Sequence, residues 1–185
     1  MKQLKIAVIV GSLRKESFNR KMAKALVENA PETLSFEFLE IGNLELYNEE
    51  FDSNSPKSWV DFREKVKSFD GVLFVTPEYN RSVPGVLKNA IDVASRPWGQ
   101  SVWGGKPAAI VSVTIGGLGA FGASNHLRQS LAFLGMPTMT QPEAYISNAM
   151  SLFDENGKLI NESTAAFAKN YMVAFEQWVK TFVAK

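Results

Sequence analysis

A short polar segment near the start of the chain, residues 11–19, carries side chains suited to binding an anion. Its polar groups include those of Ser12, Arg14, Ser17 and Asn19. The hydroxyls and the amide can donate hydrogen bonds, and the guanidinium of Arg14 matches the geometry of phosphate oxygens. Gly11 allows the backbone to turn tightly before them. We therefore expect a phosphate group here. The alternative is that Ser17 only caps the next helix and Arg14 is a solvated surface charge.

The elements around this segment place it at the end of a strand. Residues 5–10 form an apolar run rich in β-branched residues, which is typical of a strand buried on both faces. Apolar residues then recur at near-helical spacing over 22–27, so the N–H groups of a helix start add donors and partial positive charge. The segment contains neither G-x-G-x-x-G nor G-x-x-x-x-G-K-[ST], which argues against a Rossmann first turn and a P-loop.

Strands and helices alternate along the whole chain. Further strands are predicted at 34–41, 72–75, 108–113 and 137–139, with helices near 59–69, 87–94, 127–134 and 163–183. This alternation predicts one α/β domain over residues 1–185, with a five-stranded parallel sheet in the flavodoxin-like order 2-1-3-4-5 and helices on both faces. Loops 11–19, 76–85 and 113–122 follow strands one, three and four, beyond whose carboxyl ends such sheets bind ligands. We expect one ligand to contact all three loops.

The loop after the third strand is suited to a planar ring. Pro77 fixes the backbone, Glu78 and Asn80 supply polar groups, and Tyr79 supplies a flat apolar face with a hydroxyl. We therefore predict that this loop borders a heteroaromatic ring. The alternative is a plain strand-to-helix turn, in which Pro84 lies near the first position of the next helix.

The loop after the fourth strand contains G-x-G-x-x-G at 117–122. We reject a dinucleotide site, because only one short strand follows and no full nucleotide-binding half can be built after it. The glycines instead let the backbone approach a flat ring closely, or they form a flexible loop without a ligand. His126 lies just inside the next helix, where a histidine more often packs or caps than catalyses.

The composition excludes several classes of protein. Lysine and arginine number 20 against 19 aspartate and glutamate, so there is no strong field to attract nucleic acid or an acidic membrane. The chain has no cysteine and one histidine, which exclude disulfides, a thiolate nucleophile and a multi-histidine metal site. Because there is no leader-like segment and no apolar run long enough to span a membrane, we expect a cytoplasmic protein.

Three motifs together resemble the NADPH-dependent FMN reductase family, and within it the bacterial chromate and quinone reductases. They are GSLRKESFN after the first strand, TPEYNRSVPGVLKNAID after the third, and the glycine-rich loop after the fourth. The resemblance covers about residues 4–140 and implies a flavodoxin-like fold that binds FMN and forms dimers or tetramers. It also implies hydride transfer from NAD(P)H through FMN to quinones, free flavins, azo dyes or metal oxyanions such as chromate.

By position, the resemblance assigns the FMN phosphate to Ser12, Arg14, Ser17, Phe18 and Asn19, with Gly11 in the same cradle. It assigns the isoalloxazine to Pro77, Glu78, Tyr79 and Asn80 on one side and to Ser112, Gly116 and Gly117 on the other. Arg81 stands where the family often has an aromatic residue, so we expect it to face the substrate and to affect the choice of acceptor. The resemblance requires no catalytic side chain, because the flavin carries the redox chemistry.

The resemblance favours an enzyme over two other classes of protein. A flavodoxin-like one-electron carrier is the main alternative, but such carriers are usually strongly acidic, whereas this chain has a formal charge of +1. A hydrolase on an α/β sheet would need a G-x-S-x-G elbow, which the sequence lacks.

The loop around Trp98 and Trp103 indicates a homo-oligomer. We expect both tryptophans to be exposed beside the flavin site, where large aromatic side chains need cover. A partner subunit would provide it, so we predict a homodimer or a homotetramer.

Overall fold

The computed structural model describes residues 3–183, in which five strands form one sheet. The strands are β1 (Leu4–Val10), β2 (Leu34–Leu39), β3 (Gly71–Thr76), β4 (Ala108–Val113) and β5 (Ala144–Ile146). Neighbouring strands are parallel throughout, in the order β2-β1-β3-β4-β5. The predicted flavodoxin-like sheet is therefore confirmed, while the extent of the domain over 1–185 stays a prediction because it reaches beyond the described residues.

Helices cover both faces of the sheet, as predicted. They are α1 (Phe18–Glu28), α2 (Lys57–Lys67), α3 (Gly85–Ala94), α4 (Phe121–Phe133) and α5 (Glu162–Val183), with short 3-10 helices at Glu49–Asn54 and Ala149–Ser151. Helices α1 and α5 pack on one face, and α2, α3 and α4 pack on the other. No helix within residues 3–183 is both long enough and apolar enough to cross a membrane.

Alternation along β1 explains how both faces are covered. Ile6, Val8 and Val10 belong to the core under α1 and α5, whereas Ala7 and Ile9 belong to the core under α2, α3 and α4. Successive side chains of a strand point to opposite faces, so one continuous apolar run fills both cores. Burying each large aliphatic side chain contributes about 1.5–3 kcal/mol, which keeps β1 in the interior of the sheet, between β2 and β3.

The fifth strand does not lie where the sequence analysis placed it. The predicted strand at 137–139 makes only an isolated bridge, between Thr138 and Ala108, and the chain then leaves the sheet. Strand β5 instead pairs Ala144–Ile146 with the end of β4. Proline at 137 and at 142 removes two backbone donors, so regular pairing begins only after the second of them. The second strand also ends at Leu39, two residues before the predicted end at 41.

Parallel pairing brings the carboxyl ends of β1, β3 and β4 side by side. The loops that leave this edge are those singled out in the sequence. The N–H of Gly11 donates to the carbonyl of Val75 at 2.9 Å, so the first loop begins against the end of β3. Candidate ligand-binding residues from three separate parts of the chain are thereby gathered at one edge.

Candidate functional site

The first loop curves around the N-terminus of α1. Ser17 is the N-cap residue, and its hydroxyl oxygen accepts a hydrogen bond from the N–H of Arg20 at 3.3 Å. The hydroxyl oxygen of Ser12 accepts from the N–H of Arg14 at 3.4 Å. Ser17 is therefore a cap, as the alternative interpretation held, and the cap leaves other N–H groups of the first turn free for an anion.

The two arginines of this region have different surroundings. Arg20 pairs with Glu40 at 2.8 Å. The side chain of Arg14 is exposed, and among residues 3–183 it has no ion-pair partner. An unpaired arginine in the loop before a helix N-terminus suits the binding of a phosphate.

Asn19 connects this loop to β4 and leaves one polar atom without a partner. It is 5% exposed, and its Nδ2 donates to the carbonyl of Val113 at 3.4 Å. Its Oδ1 is buried, with no hydrogen-bond partner among the described residues. Since a buried acceptor without a donor is costly, a ligand hydroxyl at this position would satisfy it. The polyol chain of a flavin nucleotide fits that need.

Phe18 contributes to the loop through packing. Its ring stacks on Phe153, with ring centroids 6.2 Å apart, and the ammonium of Lys21 lies 5.4 Å from its centroid. Because the ring is occupied internally, only the backbone N–H of Phe18 is left to meet a phosphate.

Gly11 lets the first two loops approach each other. A Cβ atom at this position would lie 2.9 Å from the Oγ1 of Thr76 and 3.1 Å from a methyl carbon of Leu87. Such contacts are too close for a side chain, so glycine is required where the ends of β1 and β3 meet.

The loop after β3 contains a tight hairpin turn that the sequence analysis missed. Tyr79 and Ser82 exchange two backbone hydrogen bonds, of 3.0 and 2.9 Å. Asn80 and Arg81 between them have positive φ angles of 50° and 64°. This is the pattern of a two-residue type I′ turn, in which the second position is usually glycine. Asn80 is typical of the first position of such a turn, but the arginine at the second position, where glycine is usual, does not match the sequence pattern.

Glu78 does not offer a free carboxylate to a ligand. Its side chain is 12% exposed. Its Oε2 accepts from the N–H of Ala123 at 3.1 Å, and its Oε1 pairs with Nη1 of Arg81, also at 3.1 Å. Tyr79, Asn80 and Arg81 are exposed, whereas Pro77 is half-buried and its carbonyl accepts from the Thr76 hydroxyl. The ring-facing role predicted for this loop is thus open to Tyr79 and Asn80.

The third loop contains two kinds of glycine, one that the fold requires and two at positions where a side chain would fit. Ser112 is fully buried, and its hydroxyl donates to the carbonyl of Gly119 at 2.6 Å, so it supports the loop from behind. Gly119 has φ +59°, and a Cβ there would lie 2.5 Å from the Cβ of Tyr145. Gly116 and Gly117 are exposed, with no contact that would exclude a side chain. Their smallness leaves space above the loop for a flat ligand.

Exposed apolar side chains lie on all three loops, and of these the sequence analysis singled out only Tyr79. They are Leu13, Tyr79, Ile115, Leu118 and Phe121, each at least 48% exposed. Such a rim around polar groups is typical of a ligand-binding site.

A groove of about 1060 Å³ lies beside this site, and α3 and α4 both contribute to its lining. His126 lines it, and its Nδ1 lies 2.9 Å from the hydroxyl oxygen of Ser82, at the end of the hairpin turn. Trp98 and Phe133 also line it and are 79% and 82% exposed.

The prediction that Trp103 is exposed is wrong, because Trp103 is fully buried and its indole N–H donates to the carbonyl of Ile91 at 2.9 Å. Only one of the two tryptophans therefore needs cover.

Comparison with known proteins agrees with this geometry. The model of the NADPH-dependent FMN reductase family matches residues 4–151. A quinone reductase of Pseudomonas putida is 58% identical over 176 residues, which cover 95% of this chain and 94% of that protein. A 2-hydroxy-1,4-benzoquinone reductase of a Burkholderia species is 50% identical, over 96% of this chain and 97% of that protein.

A solved structure shares the fold over nearly the whole chain. FerB of Paracoccus denitrificans, a flavoenzyme NAD(P)H:(acceptor) oxidoreductase, superposes with a TM-score of 0.91 at 41% identity. The match covers 97% of this chain and 98% of FerB. With the family model matching most of the chain and relatives at 50% identity or more, this chain belongs to the NADPH-dependent FMN reductase family, which uses FMN and NAD(P)H.

Proposed function

We propose that this protein binds FMN across its three loops and reduces quinones with NAD(P)H by a ping-pong reaction. The observation that carries the proposal is the first loop, where the unpaired guanidinium of Arg14 accompanies the N-terminus of α1 and the unsatisfied Oδ1 of Asn19. A phosphate satisfies the first two features and a flavin side chain satisfies the third. The names of two relatives, a quinone reductase and a 2-hydroxy-1,4-benzoquinone reductase, support quinones as acceptors.

The residues take distinct parts in this proposal. Arg14, the hydroxyl of Ser12 and the first N–H groups of α1 bind the phosphate, with Gly11, Ser17 and Phe18 shaping the cradle. Tyr79 and Asn80 border one side of the flavin ring, and Gly116 and Gly117 border the other. Pro77, Glu78 and Ser112 hold these loops in place through contacts within the protein.

The chemistry belongs to the cofactor, and the protein supplies the setting. Bound FMN would carry the hydride chemistry, from NAD(P)H to the acceptor. The described loops orient the ring, and the apolar rim favours planar, weakly polar acceptors. Arg81, exposed at the turn, extends the range to anionic acceptors, among which we include chromate and carboxylated azo dyes.

Anaerobic mixing with NADPH tests the proposed function. The FMN-loaded protein is mixed with NADPH, the visible absorbance of the oxidised flavin is followed, and benzoquinone is then added. We expect rapid bleaching followed by recovery. A one-electron carrier would instead keep its colour with NADPH and lose it only with dithionite, and that result would overturn the proposal.

We also propose a cytoplasmic homo-oligomer. The location is supported by the absence of cysteine, which suits a reducing compartment, and by the use of NAD(P)H. Oligomerisation is supported by Trp98 and Phe133, two large exposed aromatic residues along the groove between α3 and α4. A second copy of the chain covering this groove would bury both, giving a dimer that can pair further into a tetramer.

A further inference from the structure

We propose that Glu78 is a positioning residue that ties the hairpin turn at the flavin site to the start of α4. The inference rests on the proposed function, because it assigns the turn 79–82 to the edge of the flavin ring. Its physical basis lies in the two oxygens of one nearly buried carboxylate, which bond to different elements.

Helix α4 lacks a cap of its own. Its N-cap residue is Ala120, which has no side-chain hydrogen bond and lies in the left-handed region at φ 57°. The first N–H groups of a helix need acceptors, and a carboxylate there also interacts favourably with the helix dipole. Glu78 supplies that acceptor from another loop, since its Oε2 meets the N–H of Ala123 at 3.1 Å.

Gly122 shows how closely the turn and the helix approach. A Cβ at this position would lie 2.9 Å from Oε2 of Glu78 and 3.0 Å from the carbonyl oxygen of Arg81. A methyl group there would push the turn away from α4. Glycine at 122 is therefore matched to the Glu78 contact, which gives a second and independent way to disturb it.

The turn itself depends on such support. Asn80 and Arg81 both occupy the left-handed region, which is unfavourable for residues other than glycine and persists where neighbouring contacts hold it. One end of the turn is held by Glu78, through Arg81 and α4, and the other by the Ser82–His126 contact of 2.9 Å. Without Glu78 the orientation of Tyr79 and of the turn backbone is no longer fixed.

Flavin affinities of four variants test the proposal. We expect Glu78→Ala to raise the dissociation constants of FMN and riboflavin alike, by roughly 10-fold, because the ring contact is lost and the phosphate contact is kept. Gly122→Ala should act in the same way. Glu78→Gln keeps an oxygen for the Ala123 N–H, and Arg81→Ala removes only the ion pair, so both should change affinity by less than about threefold. Glu64→Ala, which removes a carboxylate from an exposed surface pair, is the matched control.

Hydrogen exchange of the flavin-free protein adds a readout that is independent of the cofactor. Glu78→Ala and Gly122→Ala should speed amide exchange in the turn 79–82 and in the first turn of α4, and nowhere else. Equal affinity losses in Glu78→Ala, Glu78→Gln and Arg81→Ala would mean that the ion pair alone matters, and would overturn the role through α4. Unchanged exchange in both Glu78→Ala and Gly122→Ala would also overturn it.

The two proposals fail in different ways. If the unmodified protein binds neither FMN nor riboflavin, the proposed function fails, while faster exchange in Glu78→Ala still supports the connection between the turn and α4. If the unmodified protein binds FMN and Glu78→Ala binds both flavins equally well, only the role of Glu78 fails. If Glu78→Ala does not fold, the flavin affinities and the hydrogen exchange of Gly122→Ala test the role of Glu78 instead.

Discussion

At the residue scale, Arg14 distinguishes recognition of the flavin phosphate from recognition of the ring. Its side chain is exposed and forms no ion pair within residues 3–183, so its removal breaks no ion pair of the protein. We expect Arg14→Ala to weaken FMN binding by about 10- to 100-fold, the effect of losing one charge-assisted hydrogen bond. Riboflavin, which lacks the phosphate, should bind almost as before.

Titration of both flavins by fluorescence quenching measures the effect. Lys24→Ala, which removes an exposed positive charge from α1, the helix that follows the loop of Arg14, is the control for a general loss of charge. An equal loss for the two flavins would show that Arg14 does not bind the phosphate.

Arg81 is expected to select among acceptors. It forms an ion pair with Glu78 in its own loop, but its side chain is 72% exposed and keeps donors for a second anion. In Arg81→Tyr, kcat/KM for ferricyanide should fall about two- to fivefold, the scale of an exposed charge interaction, while kcat/KM for a neutral quinone is nearly kept. The loss should shrink as salt rises. A fall of equal size for both acceptors, without salt dependence, would mean that Arg81 only supports the loop.

At the scale of the element, the third loop offers a matched pair of glycines. Gly119→Ala places a methyl group against Tyr145 and forces a left-handed alanine, so the flavin-free protein should lose more than about 2 kcal/mol of unfolding free energy. Gly117→Ala meets nothing within 4 Å, so the flavin-free protein should unfold as before. Its FMN affinity should nevertheless fall, because the methyl group enters the space proposed for the ring.

Urea unfolding of the flavin-free variants and FMN titration separate the two glycines. Thr114 offers the nearest atom to a Cβ at Gly116, at 3.8 Å, so Gly116→Ala serves as a second test of the same surface. Full FMN affinity in both Gly116→Ala and Gly117→Ala would place the ring elsewhere.

Helix α5 is attached to the segment before β2 by a nearly buried carboxylate, that of Glu176. Hydrogen bonds from Lys180 and Thr33 lower the pKa of Glu176 below its ordinary value of 4.5. A carboxyl whose pKa is lower in the folded than in the unfolded chain stabilises the fold above the unfolded value, and this contribution is lost as the pH falls through the folded value. Glu176→Gln should therefore reduce the unfolding free energy at pH 7 by about 1–2 kcal/mol.

The difference between Glu176→Gln and the unmodified protein should narrow as the pH falls below 4.5. Urea unfolding at pH 7 and at about pH 4, just below the ordinary glutamate value, measures it. Asp61→Asn, which breaks an exposed pair with Lys57, should change the unfolding free energy by less than about 0.5 kcal/mol at either pH. A Glu176→Gln difference that stays constant with pH would contradict the ionic origin of the effect.

At the scale of the whole molecule, the sheet order and the three loops could be predicted because β1, β3 and β4 are continuous apolar runs separated by helical patterns. The fifth strand could not, since Ala144–Ile146 has only three residues, too few to show an apolar run or an alternation. The role of Glu78 was also hidden, because its partner Ala123 lies 45 residues away in sequence and contributes a backbone N–H. Local patterns show which loops meet, but not which side chains turn inward to hold them.

The groove between α3 and α4 carries the last prediction, that the protein is a homo-oligomer. Trp98 and Phe133 line this groove and are 79% and 82% exposed. Large aromatic side chains are usually buried at the core of a subunit interface, and a charged side chain in that position weakens the association.

Light scattering at micromolar concentration should therefore return at least twice the mass of one 20.5 kDa chain, and Phe133→Glu should lower the mass toward that of a monomer. Ile160→Glu charges another exposed apolar residue, in the loop before α5, and should leave the mass unchanged. A monomer mass for the unmodified protein, or equal effects of the two substitutions, would show that the groove is not the interface.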